Sequence, residues 1–355
     1  MHDWLIVADD VTGALDSAVG FAGTGLVEYG VRVPDADVAA VSTGSRALPA
    51  PPDGIPDRAV DERFARLFVK IDSTVRGWPA EHTAALLRRW HPGSTAVVCP
   101  AAPALGRAVV DGRVLVHGEP ASRTAAGRDP VAPVRIDRLP QLFDAPLTPL
   151  ESVASAIGRA PAVVVDASTA EDLAELAAII DAAGPRAVPV GSAGLAAALG
   201  DRRARRAVPL PHAREVVVLV TSAHPVSRVQ VEALGDQAVV VAAPPLPEDR
   251  IGHEAAAGMA RATAERAGAL LRDGTVDAIV VIGGDGTDAL LTSLGATGVE
   301  VRGALLPGVP WGRIRGGIAD GRLIATKSGG FGHAGTLTDL IRILTQDALT
   351  TQETP

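Results

Sequence analysis

Cysteine occurs once in this 355-residue chain, at Cys99. A single thiol excludes an intrachain disulfide and a thiolate metal cluster, and it fits a reducing cytoplasm. Aromatic residues make up only 3% of the chain, so its core has to be aliphatic. Apolar runs are short as well. None approaches the roughly 18–20 residues of a membrane span, and the opening MHDWLIVADD lacks the basic start and long apolar stretch of a secretion signal. There is no long basic stripe. With a formal net charge of -8 and a pI of about 5.5, nucleic acid is not an expected partner. The densest basic run, Arg202, Arg203, Arg205 and Arg206, is short and reads as a solvated linker.

What the chain has is a 47% hydrophobic composition arranged in short β-branched runs. Strands are expected at 4–8, 39–42, 67–71, 95–99, 162–166 and 187–190, then at 216–220, 238–241, 278–282 and 323–326. Helical patterns lie between many of them, notably at 14–22, 171–183 and 253–271. Strand–helix alternation predicts an α/β fold of largely parallel sheets flanked by helices. The segment 201–214, DRRARRAVPLPHAR, is charged and proline-bearing and precedes a fresh strand. It divides the chain into two α/β domains, 1–206 and 207–355.

Three polar clusters mark the first domain. Asp9-Asp10-Val11-Thr12-Gly13 follows the first strand, at the sheet end where ligands bind in such folds. One acid there could take a proton from a substrate hydroxyl, and the other could hold a metal or a ligand hydroxyl. Alternatively Asp10 or Thr12 simply caps the following helix. Lys70-Ile71-Asp72-Ser73-Thr74-Val75-Arg76-Gly77 follows another strand. Its two cations and intervening hydroxyls suit a carboxylate ligand, although pairing with local acids would explain the same cations. The stretch 99–107, CPAAPALGR, ends another strand in a turn-rich loop and adds Arg107, while Cys99 reads as a buried, inert thiol. Arg46 follows a third strand. Asp111, His117 and Asp129 fit no metal signature.

The second domain carries glycine-rich strand ends. Gly283-Gly284-Asp285-Gly286-Thr287 closes an apolar strand and opens a helix, where backbone amides can face a phosphate. No G-K-[ST] follows, so it is not a Walker A loop. Lys327-Ser328-Gly329-Gly330-Phe331-Gly332 repeats the pattern, with Lys327 placed to neutralise a phosphate. Ser222 occupies an equivalent loop end, beside His224. The segment 303–312 reads as a rigid turn that walls a base or a hinge, with Trp311 either stacked on adenine or packed.

In this order the clusters resemble the four-carbon acid sugar kinase family, which includes D-threonate, D-erythronate and 3-oxo-tetronate kinases. The resemblance rests on 6–16 (IVADDVTGALD), 70–77 (KIDSTVRG), 100–107, Asp111-Gly112, Asp129-Pro130, 190–195, 307–310 and 327–332. It implies an N-terminal domain that binds the acid sugar and a C-terminal domain that binds ATP, with the active site in the cleft between them. Asp9 or Asp10 would be the base, and Arg46, Lys70, Asp72, Ser73 and Arg76 would orient the substrate. Ser222, Gly283, Gly284, Asp285, Gly286, Thr287, Gly329, Gly330 and Gly332 would hold ATP, with Mg2+ bridging its phosphates. No protein ligand to the metal is identified, and a homodimer is the default oligomer. The chain departs from the family at 221–224 (TSAH), at 283–286 (GGDG) and at Trp78, where asparagine is common. Two other readings stand beside this one. Residues 283–287 match the GGDGT signature of NAD-kinase-like enzymes, and the altered loops allow a catalytically weakened sugar-acid-binding protein.

Overall fold

The computed structural model describes residues 2–56, 59–204, 206, 208–244 and 253–345. They form two compact units, one built on Met1–Arg205 and one on Arg206–Glu248 with Glu254–Pro355. The expected domain boundary at 206/207 falls beside Arg205 and at Ala207, both of which lie outside the described residues.

The first unit contains strands β1 (His2–Ala8), β2 (Val27–Gly30), β3 (Val38–Ser42), β4 (Phe64–Lys70), β5 (Thr95–Cys99), β6 (Arg107–Val110), β7 (Arg113–Val116), β8 (Glu119–Pro120), β9 (Ala162–Val164) and β10 (Ala187–Gly191). Its helices are α1 (Val11–Ala18), α2 (Pro79–Leu87), α3 (Leu139–Phe143), α4 (Leu150–Ala156), α5 (Ala170–Ala183) and α6 (Ala193–Gly200). Seven strands line up in the order β2-β3-β1-β4-β10-β5-β9, every pair parallel. The parallel arrangement explains the sequence pattern. Helices cover both faces of such a sheet, so its strands lose the apolar–polar alternation. Residues Trp4, Leu5, Ile6, Val7 and Ala8 are all fully buried. β6, β7 and β8 form a small antiparallel sheet apart from this layer.

Helix α5 shows how the flanking layer is specified. Thr169 accepts from the amide of Asp172, and the Asp172 carboxylate accepts from the amide of Thr169, a reciprocal cap that fixes the helix start. Leu173, Leu176, Ala177 and Ile180 then fall on one buried stripe. The run expected to be a free linker is tied down in part. Arg203 donates to Asp3 at 2.9 Å and stacks over the rings of Trp4 and Phe21.

The second unit contains β11 (Val216–Val220), β12 (Val239–Ala242), β13 (Ala278–Ile282), β14 (Gly298–Leu306), β15 (Val309–Arg315) and β16 (Leu323–Lys327). Its helices are α7 (Pro225–Leu234), α8 (His253–Arg272), α9 (Gly284–Ser293) and α10 (Thr336–Thr345). The strand order is β12-β11-β13-β16-β15-β14, parallel through β16 and antiparallel beyond it.

One expectation fails here. Residues 303–312 are not a rigid turn but most of the β14–β15 hairpin. Only Pro307 and Gly308 turn, with Gly308 at φ 74°. Trp311 is 6% exposed and packs with Leu305, Val309 and Leu323, so it serves the core and not an adenine ring. Glycine and proline inside β14 and β15 masked the strand signal. Gly303 and Gly312 are present because their partners come close. A Cβ at Gly312 would lie 2.1 Å from the Glu300 carbonyl oxygen, which is backbone and cannot swing aside. Gly312→Ala should therefore destabilise the protein by about 1–3 kcal/mol, the usual scale for overpacking. Denaturant unfolding followed by circular dichroism measures this, and an unchanged midpoint would show that the hairpin yields at no cost.

Candidate functional site

The parallel register of the first unit sets the site. Ala8 of β1 is level with Ser42 of β3 on one side and with Lys70 of β4 on the other. The residues that follow these strand ends, Asp9-Asp10, 43–46 and 71–77, therefore emerge together. Backbone bonds lock them: the Arg46 amide donates to the Asp9 carbonyl at 3.1 Å, and the Asp9 amide donates to the Lys70 carbonyl at 3.2 Å. Asp10 caps α1, its Oδ1 accepting from the Gly13 amide at 2.8 Å. Thr12 does not cap, and its hydroxyl is buried without a partner among the described residues.

Arg46 is the hub. Its Nε and Nη2 donate to the two oxygens of Asp9 at 3.0 and 2.6 Å. Its Nη1 lies 2.7 Å from Asp10 Oδ2 and 3.6 Å from Asp72 Oδ1. Arg76 takes the other side of Asp72, donating through Nε and Nη2 at 3.1 and 2.8 Å, and reaches Asp129 Oδ2 at 2.9 Å. Asp72 also accepts from the amide of Thr74 at 3.0 Å and from its hydroxyl. Asp129 accepts from the amides of Val131 and Ala132. The structure thus brings Asp9, Asp10, Arg46, Asp72 and Arg76 into one network. Ser73 sits buried beside it. The pairing of Lys70 and Arg76 with local acids was one of the two readings of that loop; it holds for Arg76, and Arg46 is paired in the same way.

Lys70 differs. It is 4% exposed, and its Nζ donates to the Ile71 carbonyl at 2.8 Å. Among the described residues it makes no salt bridge. Its ammonium lies at the first turn of α1, 2.6 Å from where a Cβ of Gly13 would be, so a side chain there would displace it.

The charges follow from this geometry. Burial pushes the Asp9 carboxyl up, but Arg46 and Lys70 outweigh it and hold the group below the usual carboxylate range. Burial likewise opposes ionisation of Asp72, and Arg76 and Arg46 overcome it, leaving the group well below that range. Asp16, on the second turn of α1, goes the other way. Burial raises it to about 6 although Lys70 and Arg107 oppose the shift. Nothing in the sequence alone marked Asp16 beyond its place in the first motif. His82 lies behind the network, fully buried, its Nδ1 3.1 Å from Ser45 Oγ, and burial lowers its pKa. Burial also drives the Cys99 thiol up to about 12, an inert state.

The second unit repeats the logic. Val220 of β11 is level with Ile282 of β13, and Ile282 with Lys327 of β16. The strand ends therefore bring Ser222, the 283–287 turn and the 328–332 loop together. Contacts are close: a Cβ on Gly283 or Gly286 would lie 2.7 or 2.4 Å from Thr221 Oγ1, and one on Gly330 would lie 3.1 Å from His224 Nε2. A Cβ on Gly329 would fall on the Ser222 hydroxyl. Gly283 has φ 118° and starts α9, with Gly284, Asp285, Gly286 and Thr287 in its first turn. Beside Ser222, a cavity of about 250 Å³ is walled by Val220, Val231, Ala242 and Ala243, with Arg228 and Glu232 also lining it. Lys327 is turned to its own loop. It is fully buried and bonded to its own loop, and burial lowers it to about 7.

Comparison with known proteins follows the same division. A sugar-binding N-terminal domain family matches residues 4–199, and a nucleotide-binding C-terminal domain family matches 196–337. The D-threonate kinase of Bordetella bronchiseptica is 36% identical, aligned over 94% of this chain and 95% of that one. The chain belongs to the four-carbon acid sugar kinase family. The D-erythronate kinase of Heliobacterium modesticaldum is 28% identical over 94% and 95% of the two chains. A Bordetella bronchiseptica crystal structure, a domain-swapped dimer with bound citrate, is 32% identical with a TM-score of 0.53, covering 98% of this chain and all of that one. A Salmonella typhimurium structure described as a putative tRNA synthase, 20% identical, shares the fold at a TM-score of 0.73 over 97% of this chain and 100% of that one.

As a member of this family the protein is a sugar-acid kinase, a phosphotransferase. Among the described residues no helix is long and apolar enough to cross a membrane.

Asp16 gives a pH-dependent test. Its folded-state pKa is raised, so its contribution to stability is present below about pH 4 and is lost as the pH rises through about 6. A shift of roughly two units is worth about 3 kcal/mol. Asp16→Asn should therefore raise the melting temperature at pH 7.5 and leave it nearly unchanged at pH 4. Equal effects at both pH values would show that the carboxyl is not held neutral by its surroundings.

Proposed function

We propose that this kinase transfers the terminal phosphoryl group of ATP to a hydroxyl of a four-carbon sugar acid of the threonate, erythronate or 3-oxo-tetronate class. The observation that carries the reading is the network at the β3, β1 and β4 ends. It joins the acid pair to Arg46 and the 70–76 loop, the same blocks that carry the family resemblance. Sugar-acid kinases aligned over nearly the whole chain support it. A GGDGT-type kinase with another acceptor explains only 283–287.

The residues divide the work as follows. Lys70, which makes no salt bridge among the described residues, takes the substrate carboxylate. Arg46 and Arg76 fix Asp9, Asp10 and Asp72 as a rigid frame for the hydroxyls, and Ser73, buried in the same loop, adds a hydroxyl of its own. Asp10 is the leading base. Its side chain is 15% exposed against 3% for Asp9, and only one of its oxygens faces Arg46. It would accept the proton of the attacking hydroxyl as the phosphoryl group arrives. In the second unit, the amides of Gly284 and Gly286 in the first turn of α9 and those of Gly329, Gly330 and Gly332 face the phosphates, Ser222 supplies a hydroxyl, and the cavity beside it takes the base. Magnesium would come with the nucleotide and would neutralise charge on its phosphates. The described residues gather no group of three or more His, Cys, Asp or Glu side chains that could hold a metal ion. The domain-swapped Bordetella relative supports a homodimer.

A coupled ADP-release screen over four-carbon sugar acids, including 3-oxo forms, tests the proposal, with glycerate and NAD as outgroups. Turnover with NAD alone would favour the GGDGT reading. Absence of ATP binding at millimolar concentration with magnesium would reject the kinase and leave a sugar-acid-binding protein. Asp10→Asn keeps the helix cap but removes the base, so kcat should fall at least about a hundredfold. Near-normal turnover moves the role to Asp9. Lys70→Met should raise KM for the sugar acid at least about tenfold with KM for ATP unchanged, since a lost charge-assisted bond is worth about 1.5–3 kcal/mol.

A further inference from the structure

Three polar side chains of the second unit are fully buried and lie outside every role assigned above: Ser227 and Gln230 on α7, and Lys327 at the end of β16. Their donors converge on one loop. Lys327 Nζ donates to the carbonyls of Ser328 and Phe331, both at 2.8 Å. Ser227 Oγ donates to the carbonyl of Gly329 at 3.1 Å. Gln230 Nε2 donates to the carbonyls of Phe331 and His333 at 2.9 and 3.0 Å.

The geometry of a trans peptide gives this arrangement a consequence. In each planar unit the C=O and the following N–H point in opposite directions. The carbonyl of Ser328 shares its plane with the amide of Gly329, that of Gly329 with Gly330, and that of Phe331 with Gly332. Drawing those three carbonyls toward buried donors turns the three glycine amides away from the donors. Among the described residues, none of these three amides donates to a protein acceptor. The Phe331 amide closes the turn on the Ser328 carbonyl at 3.2 Å, and the unpaired glycine amides on either side of it form an anion-binding concavity.

Gln230 adds a second sign. Its Oε1 is buried and has no partner among the described residues. Packing alone would favour leucine or methionine at such a position, because a buried acceptor without a donor is unfavourable. The amide is retained for its Nε2, which reaches the loop.

We infer that Ser227, Gln230 and Lys327 are positioning residues that hold the 328–333 loop with its glycine amides presented to the phosphates of the nucleotide. They act through the loop backbone and do not touch the ligand. The inference rests on the ATP reading given above. It also replaces the expectation that Lys327 neutralises a phosphate, since its ammonium is turned into the protein and bonded to two carbonyls.

The experiment compares wild type with Ser227→Ala, Ser227→Thr, Gln230→Leu and Lys327→Met. ATP affinity is measured by calorimetry, KM and kcat by ADP release, and folding by circular dichroism. Ser227→Ala and Gln230→Leu should raise Kd and KM for ATP at least about fivefold in folded protein, with KM for the sugar acid unchanged. Ser227→Thr keeps the hydroxyl and should restore ATP affinity to within about twofold of wild type. A merely structural role would change stability without this split. If Lys327→Met does not fold, the two α7 variants decide alone. Wild-type ATP affinity in folded Ser227→Ala and Gln230→Leu overturns the positioning role and leaves the ATP reading intact. A wild type that binds no ATP overturns both.

Discussion

The first unit depends on the Arg46 guanidinium. A parallel sheet gathers the loops from its strand ends along one edge, and here that edge collects Asp9, Asp10, Asp72 and Asp129. Asp9 is 2% exposed and Asp72 is 6% exposed. Buried carboxylates without partners would take up protons or unfold the edge. Arg46 touches three of the acids and Arg76 touches two, so every one of them has a cation. A planar guanidinium can do this because its five donors lie in fixed directions, which an ammonium cannot reproduce. Removing one partner from such a buried network typically costs about 3–5 kcal/mol. The edge is therefore pre-organised before any substrate arrives.

The second unit solves a related problem with a different material. A strand end ready for a phosphate needs exposed amides, but each amide is coupled through its peptide plane to a carbonyl that must also be satisfied. Ser227, Gln230 and Lys327 satisfy the carbonyls from below. Any positive potential on that loop then comes from backbone dipoles and not from the Lys327 ammonium, which is bonded to two carbonyls. The close seating of Gly283 and Gly286 against Thr221 serves the same end, because a side chain at either position would push the β11 and β13 loops apart.

The sequence revealed the layers more readily than the chemistry within them. Every expected strand has a counterpart, because β-branched runs of five residues buried on both faces leave a strong signal in β1, β5, β11 and β13. The β14–β15 hairpin was misread because Gly303, Pro307, Gly308, Pro310 and Gly312 look like punctuation when their cross-strand neighbours are unknown. The small β6–β8 sheet was missed for a similar reason, being short and interrupted by turns. Within the site, residue types were legible and partnerships were not. Asp9 and Arg46 are 37 positions apart, and only the β1–β3 register makes them neighbours. Ser227 and Gln230 carried no signal at all, since a serine and a glutamine on a polar helix read as surface until burial is known.

Lys327 shows why residue type alone misleads at such sites. A lysine directly after a buried strand and before a glycine loop looks like a phosphate ligand. Its reach is short, however, because the strand end is fully buried, and the nearest acceptors are the carbonyls of its own loop. Desolvation weakens its charge, and burial brings it down to about 7. A lysine in that state is a poor electrostatic clamp but a good hydrogen-bond donor, protonated or neutral. Lys70 stands at the matching place in the first unit, also buried and also bonded to the carbonyl of the next residue. Its surroundings differ, with Asp9 and Asp16 close enough to interact with its charge. The same residue at the same kind of strand end thus holds its own loop in one unit and sits beside two carboxylates in the other.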